Sequence, residues 1–94
     1  MKYTPGKWRI EGDCYIIAGE KHKNSLIADI ATANDDYEAN AQLIALSPKM
    51  YEALEEIDGE LVYLEGTRLD ETQEYYVKEI KRIVRETLAK AEGK

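Results

Sequence analysis

Short apolar and polar alternations fill the first thirty positions, and helical periodicities fill the rest. "KWRI" sets Trp8 and Ile10 on one face. "CYIIA" sets Cys14, Ile16 and Ala18 against Tyr15 and Ile17, and "SLIADI" sets Leu26, Ala28 and Ile30 opposite Ile27 and Asp29. Glu11-Gly12-Asp13 and the stretch from Gly19 to Asn24 carry turn residues between them. The pattern predicts a three-stranded antiparallel meander over residues 1–33, thin enough to need cover on one face.

That cover is predicted to begin after Ala33. Asp35 with Glu38 three residues on reads as a capping box, and Tyr37, Ala41, Ile44 and Ala45 keep helical spacing, widened by Leu43 and Leu46. Asn40 is placed on the face toward the sheet, where its amide needs backbone partners in a strand or turn; ligand contact is the other reading. Ser47-Pro48 then reads as a fresh N-cap followed by proline at the first helical position, which breaks the segment into two helices.

Beyond it, Met50, Leu54, Ile57, Leu61 and Leu64 alternate spacings of four and three. Gly59 weakens this helix locally. Glu65-Gly66-Thr67 closes it, and Asp70 with Gln73 reads as the cap of a third helix, striped by Val77, Ile80, Val84, Leu88 and Ala91 with Tyr76 and Ile83 beside. Two long amphipathic helices joined by a short glycine-containing link predict an antiparallel hairpin.

The expected fold is therefore α+β in a single domain, 1–94. It comprises a β-meander (1–33), two helices broken at Ser47-Pro48 (34–66) and a C-terminal helix (67–94). A seam of Leu54, Ile57, Leu61, Ile80, Val84 and Leu88 either packs on the sheet or joins subunits, which makes a homodimer an expectation.

At 94 residues the chain has room for one modest core. Charge is unevenly placed: residues 34–66 hold one base, Lys49, against nine acids, a net of −8. A surface of that sign repels phosphate backbones and argues against direct nucleic-acid binding. Glu52, Glu55, Glu56 and Glu60 are either a solvated face or a surface for a basic partner; near them in a hairpin, or between subunits, would lie Lys78, Lys81, Arg82 and Arg85.

One cysteine, Cys14, cannot form an internal disulfide, and the start of the chain lacks the apolar run of a secretory signal, so a cytoplasmic setting in a bacterial or archaeal host is expected. No stretch is apolar enough to span a membrane. One cysteine and one histidine are too few for a transition-metal site, and Asp35, Asp36 and Glu38 lack the alternating oxygen ligands of a hard-cation loop. Cys14 and His22 are the lone nucleophile–base pair, placed in a strand and a turn. Without a phosphate loop or nucleotide fingerprint, neither an enzyme nor a cofactor is expected.

The remaining cluster is cationic and aromatic: Trp8, Arg9 and the turn Lys21-His22-Lys23 could grip a small anionic or nucleotide-like ligand, with Asn40 as a further contact. The competing reading makes Trp8 a core anchor and leaves the turn solvated.

"YTPGKW", a following strand with Ala18-Gly19, "LIADI", and "EANAQLIALSPKMYEAL" together resemble a group of small phage and prophage proteins. That group opens with Thr-Pro-Gly-x-Trp and later shows Glu-Ala-Asn-Ala-x-Leu-Ile, a spacer, Pro and a Leu-rich helix. Thr4, Pro5, Gly6, Trp8, Glu38, Ala39, Asn40, Ala41, Leu43, Ile44, Pro48 and Leu54 match; Tyr3 and Lys7 stand where many members have His and Pro. The resemblance covers about the first sixty residues and implies a phage accessory protein. By analogy such proteins block a host protein or sequester a nucleotide signal. The rival expectation is a structural or assembly protein of a virion or replication complex that works through helix-hairpin oligomerisation.

Overall fold

The computed structural model describes residues 3–19 and 25–93. It is an α+β chain: three strands, β1 (Trp8–Glu11), β2 (Tyr15–Ala18) and β3 (Ser25–Asp29), precede two helices, α1 (Tyr37–Glu65) and α2 (Glu71–Ala91). It divides into two compact units, residues 1–48 and 49–94.

In the first unit the strands form one antiparallel sheet in the order β1-β2-β3. Glu11 pairs with Tyr15 across a three-residue loop in which Gly12 and Asp13 hold φ of 58° and 70°. Cross-strand partners share a face, so Trp8, Ile10, Ile16, Ala18 and Ala28 lie together, with Ile16 and Ala18 buried. Ala41 on α1 is buried as well.

The pairing of β2 with β3 slips between Ile16 and Ile17: Ile16 faces Ala28 while Ile17 faces Leu26, leaving Ile27 as the extra residue of a bulge. This corrects the regular alternation expected of "SLIADI". Leu26 moves to the Ile17 face, where it is exposed, because one inserted residue inverts every side chain beyond it.

The expected break at Ser47-Pro48 is not there: α1 runs through both residues. Ser47 does not cap a new helix; its hydroxyl donates to the Leu43 carbonyl one turn back at 3.1 Å. Pro48 removes one donor from the ladder, at a cost of up to ~3 kcal/mol. The apolar period from Leu43 to Leu64 keeps its phase across the proline. The boundary between the two units falls after Pro48.

The start of α1 is also set differently from the expected Asp35–Glu38 box. Asn34 Oδ1 accepts from the Asp36 amide at 2.8 Å, and the Glu38 carboxylate accepts from the Tyr37 hydroxyl instead of reaching back.

In the second unit α1 ends at Glu65, where the Thr67 hydroxyl and amide donate to the Leu64 carbonyl. Asp70 and Gln73 form the expected capping box: the Gln73 amide donates to Asp70 Oδ1 at 2.7 Å and the Asp70 amide to Gln73 Oε1 at 3.1 Å. Leu61, Val77 and Val84 are buried together, with Leu54, Leu69 and Leu88 packed against them.

The polar bridges fix the pairing as antiparallel. Tyr51 donates to Glu92 at 2.8 Å, Arg85 to Asp58 at 3.0 Å, and Lys81 meets Glu65 at 2.6 Å, so positions rising along α1 meet positions falling along α2. No helix among the described residues is long and apolar enough to cross a membrane.

Candidate functional site

The hairpin has two unlike sides. Tyr51, Asp58 and Glu65 stand seven residues apart on α1 and reach across one side of the seam to Glu92, Arg85 and Lys81. Each is preceded by an apolar residue, Met50, Ile57 or Leu64, and one residue turns an α-helix by about 100°. Those three therefore lie on the other side of the seam. On α2, Ile80 precedes Lys81 in the same way, and Tyr76 and Ile83 flank it at helical spacing. The six side chains are 39–59% exposed.

This divides the expected oligomer seam. Leu61 and Val84 are buried inside the hairpin and Leu54 and Leu88 pack against them, whereas Ile57 and Ile80 belong to the exposed side. The seam residues were legible from a/d spacing; Met50, Leu64, Tyr76 and Ile83 were legible as apolar but not as a separate face. Two adjacent heptad rows look alike in sequence, and only the partner helix shows which row points inward.

The predicted acids Glu52, Glu55, Glu56 and Glu60 are all exposed on the side of α1 turned away from α2. The bases proposed for them have ion-pair partners elsewhere. Lys81 pairs with Glu65, Arg85 with Asp58, Lys78 with Glu74, and Arg82 with both Glu79 and Glu86. Hydrogen bonds from Arg82 to Glu79 and then Glu86 push its pKa above the usual guanidinium value. These four bases are thus satisfied along their own helix or across the seam. Beside those acids, Gly59 opens a shallow groove of about 370 Å³ lined by Glu56, Ile57, Glu60 and Leu61.

The sheet end offers less to a ligand than its composition suggested. Trp8 and Arg9 are neighbours on one strand and project to opposite faces, Trp8 with Ala18 and Arg9 with Ile17. One ligand cannot be held between them. The Trp8 indole N–H donates to the Thr4 carbonyl at 2.9 Å, and its ring meets Tyr3 edge-on with centroids 6.2 Å apart. Arg9 donates to the Gly19 carbonyl at 2.6 Å and bridges to Glu11 at 3.0 Å. Asn40 is exposed, contrary to the expected sheet-facing position: it stands about 100° round the helix from Ala41, which is the buried position. Lys21, His22 and Lys23 lie outside the described residues.

What Thr-Pro-Gly-x-Trp builds is a strap. Gly6 holds φ of 96°, and a Cβ there would sit 3.0 Å from the backbone of Gly19. Only glycine allows both the turn and the approach. Gly6 crossing Gly19, Arg9 on the Gly19 carbonyl and Trp8 on Thr4 tie the opening segment to the end of β2. Glycine in both "TPG" and "AG" was the available signal, but their mutual contact is not a local property.

At the start of α1, the Glu38 carboxylate raises the Tyr37 phenol above its usual pKa, by its charge and by accepting the hydroxyl's hydrogen bond at 3.3 Å; slight burial, Asp13 and Cys14 add less. Among the described residues no group of three metal-ligating side chains comes together.

A family described as Salmonella phage P22 protein Y8K6 matches residues 1–94. The chain belongs to this phage protein family. The match covers the hairpin as well as the first sixty residues and supports a small phage accessory protein. No match was found among curated proteins or among solved structures.

Proposed function

We propose that this member of the P22 Y8K6 family is a non-enzymatic accessory protein of the host cytoplasm. It acts as a homo-oligomer, a dimer first, by stoichiometric contact with a host protein, in counter-defence or host modulation. The observation that carries the reading is the hairpin's exposed apolar side: Met50, Ile57, Leu64, Tyr76, Ile80 and Ile83 give a solvated monomer nothing, whereas a protein contact gains from burying them. The outer acids Glu52, Glu55, Glu56 and Glu60 set the chemistry of the target as basic, and the same charge disfavours nucleic acid and anionic lipid surfaces.

The small-anion alternative is less well supported, because Arg9 is engaged by Gly19 and Glu11 and stands on the opposite face from Trp8. The assembly alternative draws on the same apolar side and is separated by experiment.

The test is native mass spectrometry of the protein isolated from its host. A second polypeptide at fixed ratio, lost at high salt and in the Glu55→Gln/Glu56→Gln/Glu60→Gln variant, is the expected result. A small mass that leaves on unfolding would replace this reading with ligand sequestration. Large oligomers of this chain alone would replace it with assembly.

A further inference from the structure

We infer that the groove beside Gly59 is the docking site for one basic α-helix of a host protein, which crosses α1 over the glycine and carries Lys or Arg on its flanks. This rests on the host-contact reading and deepens it: it names the part of α1 that is touched and the kind of segment that touches it.

The glycine is the first argument. Gly59 lies inside α1 without a left-handed φ, and nothing stands within 4 Å of the position its Cβ would take. A glycine there costs helix stability and serves no turn and no close contact within the chain. Gly6 is the contrast, since its φ and its approach to Gly19 both require it. What a glycine inside a helix provides is a notch, where a second helix comes closer than a side chain would allow.

The groove is the second. It holds about 370 Å³, with Ile57 and Leu61 as its apolar part and Glu56 and Glu60 as its charged part. Tyr63, 72% exposed, follows Gly59 by four residues and Glu60 by three, so it borders the same surface. An aromatic ring beside carboxylates is a setting that suits a guanidinium or ammonium group. Residues 56–63 span roughly 10 Å along the axis of α1, about the width of one helix laid across it.

Charge is the third. Glu56 and Glu60 are like charges four residues apart, a spacing that destabilises a helix, and neither has a base within a turn of it along α1. The last turn of α1 carries no base either, and Lys78, Lys81, Arg82 and Arg85 have ion-pair partners elsewhere. The glycine and the paired acids are both unfavourable local choices for a helix, and they fall on the same two turns. Coincident departures of this kind mark a site where a contact outside the element compensates. A basic helix compensates both, because its cations relieve the repulsion between the carboxylates and its backbone fills the notch. The same carboxylates repel nucleic acid and anionic lipid.

The experiment is a fluorescence-anisotropy titration of the full chain against a labelled synthetic helix of about 18 residues, with Ala and Leu on one face and Arg along both edges. A second probe of the same composition carries prolines in its middle and cannot form the helix. The expected result is saturable one-to-one binding of the helical probe alone, weakened roughly tenfold between about 0.05 and 0.3 M salt. Gly59→Leu and Glu56→Gln/Glu60→Gln should each lower the affinity roughly tenfold or more, with helix content unchanged by circular dichroism. Gly59→Ala should lose roughly threefold in affinity while its unfolding midpoint rises, opposite signs that a purely structural glycine would not give. If Gly59→Leu loses helix, Gly59→Ala decides the matter.

Absence of saturable binding overturns the inference, as does wild-type affinity in the Gly59 variants or equal binding of the proline probe. A wild-type dimer in sedimentation equilibrium that Gly59→Leu dissociates overturns it too, by placing a second copy of this chain in the groove. Failure of the probe while a host polypeptide still copurifies at fixed ratio strikes the helix site alone. Binding of the probe by a protein that leaves its host with no second polypeptide supports the groove's preference for a basic helix and counts against the host-contact reading alone.

Discussion

The sheet unit and the hairpin unit are held by opposite kinds of device. In the first, backbone meets backbone: Gly6 crosses Gly19 with no side chain between them, Arg9 and Trp8 donate to carbonyls, and a single-residue bulge at Ile27 decides which face Leu26 occupies. In the second, side chains do the holding, with three buried hydrophobics along a seam and polar bridges on one side of it. Backbone contacts tolerate almost no added atom and offer little to a visitor. Side-chain rows repeat along a helix, so the pattern that builds the seam also builds a second row for a partner.

Substitutions can break this contrast at graded strength. Leu61→Ala should be the most damaging: it empties the centre of the hairpin seam and should cost about 2–4 kcal/mol in denaturant unfolding, with the near-ultraviolet tyrosine signal changing first. Gly6→Ala should follow at roughly 1–3 kcal/mol, since it forces a left-handed φ on alanine and puts a methyl against the Gly19 backbone; Gly6→Asn, which relaxes the φ penalty alone, should recover only part.

Gly59→Ala should move stability the other way, by about +1 kcal/mol, because its position is helical and nothing lies within 4 Å of a Cβ there. Equal signs for the two glycines would erase the distinction between the units. Arg85→Ala is the mildest: it leaves Asp58 at a largely exposed pair and should cost no more than ~0.2–1 kcal/mol, shrinking as salt is added.

Asp70 with Gln73 was legible because a cap is written within four residues and needs nothing distant. The helix break was misread for the same reason: Ser-Pro is a local signal, and α1 continues through it. Asn40 was misjudged because it stands one residue from the buried Ala41 at the edge of the apolar face, where periodicity alone does not show how far the sheet's cover extends. Ile57 and Ile80 were expected in one seam with Leu54, Leu61, Val84 and Leu88, and the division of these apolar positions between an inner seam and an outer face needed the second helix in place.

Sequence alone determined the α+β order of elements, the identity of the strands, the hairpin and its capping box, and the acidic bias of the middle third. All of these follow from periodicity, turn chemistry and charge, which are properties of neighbouring residues. Tertiary structure decided the continuity of α1 through Pro48, the bulge that inverts Leu26, the Gly6–Gly19 crossing and the ion-pair partners of the α2 bases. Each depends on what a distant segment brings within a few ångströms, and competing contacts of nearly equal local merit are resolved only by that proximity.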